Sequence, residues 1–148
     1  MNSIRKILLV EDSRRDAELV RESFQRARLI NPIDHCLDGE EAMAYLNREG
    51  KHASRLDELP LFVLLDLKMP KVDGLEVLKR IRATPTLASL PVVMMTSSRE
   101  EQDLIRSYEL GVNAYVVKPL DIAKFHECLE HLGSFWVAFN EPPARCAA

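Results

Sequence analysis

Glu11 and Asp12 follow the apolar run ILLV, Asp66 follows LFVLL, Thr96 and Ser97 follow VVMM, and Lys118 and Pro119 follow YVV. Each has an ordinary explanation on its own. An acid or a Thr-Ser pair after a strand is commonly the cap of the next helix, and a Lys before Pro is commonly a solvated loop residue. Asp66 fits that explanation least, because Leu67 and the apolar run enclose it and an isolated buried charge is costly unless paired or metal-bound. Taken jointly, two carboxylates, a hydroxyl and an ammonium at the ends of four apolar runs describe a specific chemistry. Asp12 and Asp66 offer hard oxygen ligands suited to Mg²⁺, Lys118 a compact positive charge, and Thr96 a hydroxyl donor. Those groups can neutralise the oxygens of a phosphoryl group in transit, with a carboxylate as nucleophile.

The positions of these groups follow from the elements that carry them. Five apolar runs recur, at residues 7–10, 33–37, 61–65, 91–95 and 114–117. ILLV, LFVLL and VVMM lack polar alternation, as expected of strands buried on both faces of a parallel sheet. Helical spacing separates the runs. Ala17, Val20, Phe24 and Ala27 open from Ser13 as an N-cap. Asp38 with Glu41, Asp73 with Glu76, and Ser98 with Glu101 have capping spacing, and Asp121 precedes Phe125, Leu129 and Leu132. Gly50 and Gly111 stand where helix ends favour a left-handed residue. The order is (βα) repeated five times, which predicts a parallel sheet with right-handed crossovers and helices on both faces. All four chemical ends then lie along one sheet edge, where open α/β sheets bind ligands. Residues 1–140 read as one domain with an extended last helix, 49–60 as a surface loop and 141–148 as a flexible tail.

Composition removes several alternatives. The net charge of −3 argues against nucleic acid or an anionic membrane as partner. Cys36, Cys128 and Cys146 are scattered without a CxxC pair, which suits a reduced cytoplasmic chain better than a disulfide scaffold or zinc site. The apolar run near the start is too short for a signal peptide, and no GxxxxGK occurs. His35 reads as a strand residue, and His52, His126 and His131 as helix or loop surface.

The joint set Glu11-Asp12, DLKMPKVDG (66–74), Thr96-Ser97 and YVVKP (115–119) resembles the receiver domain of two-component response regulators over residues 4–133. The resemblance implies a flavodoxin-like doubly wound sheet in the order 2-1-3-4-5. It also implies phosphorylation at Asp66 by a histidine kinase, with Mg²⁺ held by Asp12, Asp66, the Lys68 carbonyl and, mainly through water, Glu11. Lys118 would pair with Asp66 and then with the phosphoryl group. Thr96 would donate to a phosphoryl oxygen, the Ser97 amide would assist, and Tyr115 would be an aromatic switch that follows Thr96. The Lys118–Pro119 bond would be cis. The 49–60 loop, DLKMP and the ending LGSFWVAFNEPP resemble the stand-alone regulators paired with phytochrome-type histidine kinases.

Two rival roles keep part of this chemistry: a phosphorelay intermediate passing phosphate to a histidine phosphotransfer protein, and a Mg²⁺-dependent phosphohydrolase. The second lacks an acid two residues after Asp66, where Lys68 stands. The residues favour a response regulator that acts on itself rather than on a small-molecule substrate, and signals to a downstream protein by contact. Phe135, Trp136 and Phe139 crowd the end of the last helix, either closing the core or forming a homodimer interface. Without metal, Glu11, Asp12 and Asp66 should repel one another, so Asp12→Asn is expected to stabilise the metal-free chain.

Overall fold

The structure, a computed structural model, describes residues 4–55 and 58–143. Five strands alternate with five α-helices: β1 Ile7–Val10, α1 Arg14–Arg26, β2 Ile33–Cys36, α2 Gly39–Asn47, β3 Val63–Leu65, α3 Gly74–Ala83, β4 Val92–Thr96, α4 Glu101–Glu109, β5 Ala114–Val117 and α5 Ile122–Ser134. A 3₁₀ turn spans Gly50–His52, and a π-helical turn Phe135–Phe139 continues α5. All pairings are parallel, in the order β2-β1-β3-β4-β5. This is the doubly wound sheet that the alternation predicts.

Alternating side chains feed two cores, as the period of a strand requires. Leu8, Val10, Val63, Leu65 and Met94 meet Ala42, Leu46, Val77, Leu78 and Ile81 of α2 and α3. Ile7, Leu9, Leu64, Val93 and Met95 face Val20, Phe24, Phe125 and Leu129 of α1 and α5. Because each central strand is covered on both sides, a polar residue can appear only where the strand runs out. That is where the chemical groups lie.

Helix starts match the caps read from sequence at four of five positions. Ser13, Asp38, Asp73 and Asp121 each accept the amide of the residue three ahead, namely Asp16, Glu41, Glu76 and Lys124. The fifth differs. α4 begins after Glu100, and Ser98 instead donates its hydroxyl to Asp103 Oδ2 at 2.6 Å. Gly111 is left-handed at the end of α4, with φ 88°. At the end of α2 two positions are left-handed: Arg48, φ 57°, which ends the helix, and Gly50, φ 56°, which opens the 3₁₀ turn two residues later.

His126 is a further correction. It is buried, with Nδ1 bonded to Ser23 across the α1–α5 contact. The Ser23 hydroxyl already donates to Leu19 O, so the ring N–H donates to Ser23 Oγ. A polar residue on an apolar helix face is tolerated here because its partner lies on the facing helix. The Lys118–Pro119 bond is trans, against expectation, since no cis peptide occurs among the described residues. Trans is the lower-energy form even before proline, by about 0.5–1 kcal/mol. Residues 144–148 of the expected tail, Cys146 included, lie outside the described residues.

Candidate functional site

Backbone hydrogen bonding carries the sheet one residue beyond its strands and sets the site residues in register. The Glu11 amide donates to Cys36 O, the Asp66 amide to Val10 O and the Lys118 amide to Thr96 O, at 2.8–3.0 Å. The side chains that leave this edge are therefore held by the core beneath them. Gly74 adds a second constraint. A Cβ there would overlap the Asp66 carbonyl oxygen and crowd Leu67 Cα, so glycine lets the start of α3 close against the Asp66 turn.

Glu11, Asp12 and Asp66 bring a carboxylate oxygen each to within 4.8 Å of one another. Glu11 is 1% exposed and Asp66 8%, while Asp12 faces solvent. Three hard oxygen donors of this kind, two of them fixed in a buried wall and one open to solvent, fit a divalent cation that keeps part of its water. The exposure of Asp12 revises the crowding expectation. Water screens its repulsion, and the cost of like charge falls on Glu11 instead. Burial, reinforced by Asp66, pushes the Glu11 carboxyl up to about 8 although Lys118 opposes the shift.

Lys118 stands inside the cluster. Its Nζ is 3.1 and 3.2 Å from the two Glu11 oxygens, 2.8 Å from Asp16 Oδ2 and 3.4 Å from Asp66 Oδ2. Burial disfavours the ammonium, but Glu11, Asp16 and Asp66 outweigh it and push the amine up to about 12. Lys118 therefore stays charged across the physiological range.

Thr96 is fully buried, and its Oγ1 accepts the Ser98 amide at 3.2 Å. Tyr115 donates its phenol to Ser98 O at 3.1 Å. The two residues expected to act as a switch thus converge on Ser98, in the segment linking β4 to α4. Lys68 directs its ammonium to Asp103 Oδ2 at 3.5 Å, and the same oxygen accepts from Ser98. A network on Asp103 joins the Asp66 turn to the start of α4.

Asp16 and Asp103 are site residues that sequence reasoning does not single out. Asp16 lies in the first turn of α1, three residues after its N-cap Ser13 and four after Asp12. That spacing is the available signal. Phe135, Trp136 and Phe139 lie at the opposite edge of the sheet. The Trp136 ring lies 6.2 Å from that of Phe62, just before β3, tilted by 35°, and packs on the α1–α5 core. Phe135 is half exposed and Phe139 is 77% exposed.

Residues 7–130 match the response regulator receiver domain. The chain is 38% identical to response regulator Rcp1 of Synechocystis sp. over 143 residues, covering 97% of this chain and 96% of Rcp1. The Mn²⁺-bound form of Rcp1 superposes with a TM-score of 0.88 at 38% identity, over 95% of this chain and 99% of that one. The phosphorylated cyanobacterial phytochrome response regulator RcpA gives 0.90 at 37% identity, covering 96% of this chain and all of RcpA. The bacteriophytochrome response regulator AtBRR is 51% identical and gives 0.75, covering 95% of this chain and all of AtBRR. A parallel sheet in the order 2-1-3-4-5, an acidic cluster and a lysine at its C-terminal edge, and this likeness over nearly the whole length lead to one conclusion: the chain belongs to the response regulator receiver domain family.

Proposed function

We propose that Asp66 accepts a phosphoryl group from the phosphohistidine of a phytochrome-type histidine kinase, and that the chain relays the signal by protein contact. The observation that carries this reading is the convergence of Asp66 with Glu11, Asp12 and Lys118 at one sheet edge. An Asp66 carboxylate oxygen attacks phosphorus, and the P–N bond breaks with its electron pair going to the imidazole. The Lys118 ammonium and the Thr96 hydroxyl take up charge on the phosphoryl oxygens, with the Ser97 amide assisting. Glu11, Asp12, Asp66 and the Lys68 carbonyl would hold Mg²⁺, which supplies a further positive charge to those oxygens. Hydrolysis would return the carboxylate as water attacks phosphorus, the P–O bond to Asp66 breaks and inorganic phosphate leaves, a cycle in which the chain acts on itself and on no small-molecule substrate. The names of RcpA and AtBRR support the phytochrome assignment; we propose the cytoplasm as the compartment, because scattered cysteines without a CxxC pair suit a reducing environment.

Incubation with acetyl phosphate and Mg²⁺ tests the chemistry. Intact mass should rise by one phosphoryl group that is stable to acid, labile to base and located on the Asp66 peptide, with no gain in EDTA. A mass that never changes would remove the reading.

Assembly into a homodimer is part of the same proposal. Trp136 is tied to its own core, which leaves Phe135 and Phe139 as the apolar surface for a second copy. Light scattering at micromolar concentration should give twice the chain mass for wild type, and Phe135→Ala/Phe139→Ala should shift it toward the monomer. A wild-type monomer, or a dimer indifferent to both changes, would take this end of the molecule out of the interface.

A further inference from the structure

We propose that Asp16 is a positioning residue that holds the Lys118 ammonium away from Asp66 in the resting protein and so limits how fast Asp66 is phosphorylated. An ammonium has three N–H donors. Of the carboxylates around it, Asp16 makes the shortest contact, 2.8 Å, and Asp66 the longest, 3.4 Å, which is beyond the ordinary range for a hydrogen bond from nitrogen. The bonds to Glu11, at 3.1 and 3.2 Å, hold the ammonium from below. Asp16 therefore draws it toward α1 and away from Asp66. Before Lys118 can donate to a phosphoryl oxygen, one of these bonds has to lengthen.

Asp16 is the one able to yield. Its side chain is 26% exposed, against 1% for Glu11, so water can solvate the released carboxylate. A groove of about 210 Å³ beside it, lined by Asp16, Leu19, Ser97, Lys118, Pro119 and Phe125 among others, gives the side chain room to turn. The Glu11 carboxylate has no such escape. Phosphorylation would thus exchange a contact to the first turn of α1 for one to the phosphoryl group, freeing Asp16 beside Arg14 and Arg15.

This inference rests on Asp66 being the phosphoacceptor, and the measurement separates the two. Labelling by acetyl phosphate with saturating Mg²⁺ is followed by intact mass for wild type, Asp16→Asn, Asp16→Glu and Asp16→Ala, and for Lys118→Met alone and combined with Asp16→Asn. Asp16→Asn and Asp16→Ala should label roughly three- to tenfold faster than wild type, as removal of one partly exposed ion pair allows. Asp16→Glu should return toward the wild-type rate. In the Lys118→Met background, Asp16→Asn should change the rate less than about twofold, because its effect runs through the lysine. A purely structural role would not depend on Lys118. Equal or slower labelling of Asp16→Asn and Asp16→Ala, both folded by circular dichroism, would overturn the inference. An equal gain in both backgrounds would overturn it too, assigning Asp16 a general field effect. A wild type that never labels would instead defeat the phosphoacceptor reading.

Discussion

Asp66→Asn should take up no phosphoryl group from acetyl phosphate, and Lys118→Met should take it up roughly 10²–10³-fold more slowly than wild type, the usual cost of losing one preorganised donor to a developing oxyanion. Asparagine nearly preserves the volume of Asp66 beside Gly74 and Leu67, so the first change removes the proposed nucleophile with little disturbance of the turn. Lys118 is the more informative residue. Its ammonium touches Glu11, Asp16 and Asp66 at once, so its loss also leaves three carboxylates facing one another. A divalent cation is the natural replacement for that charge. Lys118→Met should therefore bind Mg²⁺ at least as tightly as wild type while phosphorylation collapses. Titration calorimetry for the cation and intact mass for the phosphoryl group would show the two quantities moving in opposite senses. A variant that has simply lost its fold would lose both. Labelling of Lys118→Met within threefold of wild type would mean that the lysine neutralises the resting site and takes no part in the transfer.

Much of this arrangement is legible in the sequence because the sheet is parallel and doubly covered. A strand that must be apolar on both faces makes any following charge conspicuous, and Asp66 after LFVLL is the clearest case. Four caps are readable for a similar reason, since Ser or Asp three residues before a helical amide is a local signal. What stays hidden depends on partners far along the chain. Asp16 looks like an acid placed to suit the start of α1, and only the fold brings Lys118, 102 residues away, against it. Ser98 and Glu101 imitate a capping pair, yet the Ser98 hydroxyl goes to Asp103, also bonded to Lys68. His126 passes for a surface residue until Ser23 of the facing helix supplies its acceptor. The Lys118–Pro119 isomer is not legible, because the two forms differ by so little that local sequence does not decide between them. Nor does sequence show which acid bears the cost of crowding: adjacent acids look alike there, while burial separates Glu11 from Asp12.

That separation has a measurable consequence for stability. In EDTA, the protein should lose stability as pH rises from about 5.5 to about 8.5, and Glu11→Gln should remove most of the loss. Glu11 has an ordinary value of 4.5 and is pushed up to about 8 in the folded chain, first by burial and then by Asp66. Below 4.5 the group is protonated folded or unfolded, and its titration contributes no difference. Between 4.5 and about 8 the unfolded chain releases the proton while the folded chain retains it. The native state then binds more protons than the unfolded state, so stability falls with rising pH. Above about 8 both forms are ionised, and the penalty is complete. From about pH 5.5 to about 8 the penalty grows by on the order of 3 kcal/mol, because each tenfold change in proton affinity corresponds to about 1.4 kcal/mol, and the value of about 8 already contains the opposing charge of Lys118. Lys118 itself stays protonated throughout this window, so its own titration does not enter. Mg²⁺ should act with the opposite sign. By binding the ionised carboxylates it would release the Glu11 proton and restore stability most where the metal-free protein is weakest, near pH 8.5. Urea unfolding of wild type and Glu11→Gln, at both pH values and with and without Mg²⁺, gives the four differences needed. Wild type equally stable at pH 5.5 and 8.5 in EDTA would show that Glu11 already ionises freely in the fold. Lys118, held by Glu11 from below and Asp16 from the side, would then be neutralising the cluster more completely than burial opposes it.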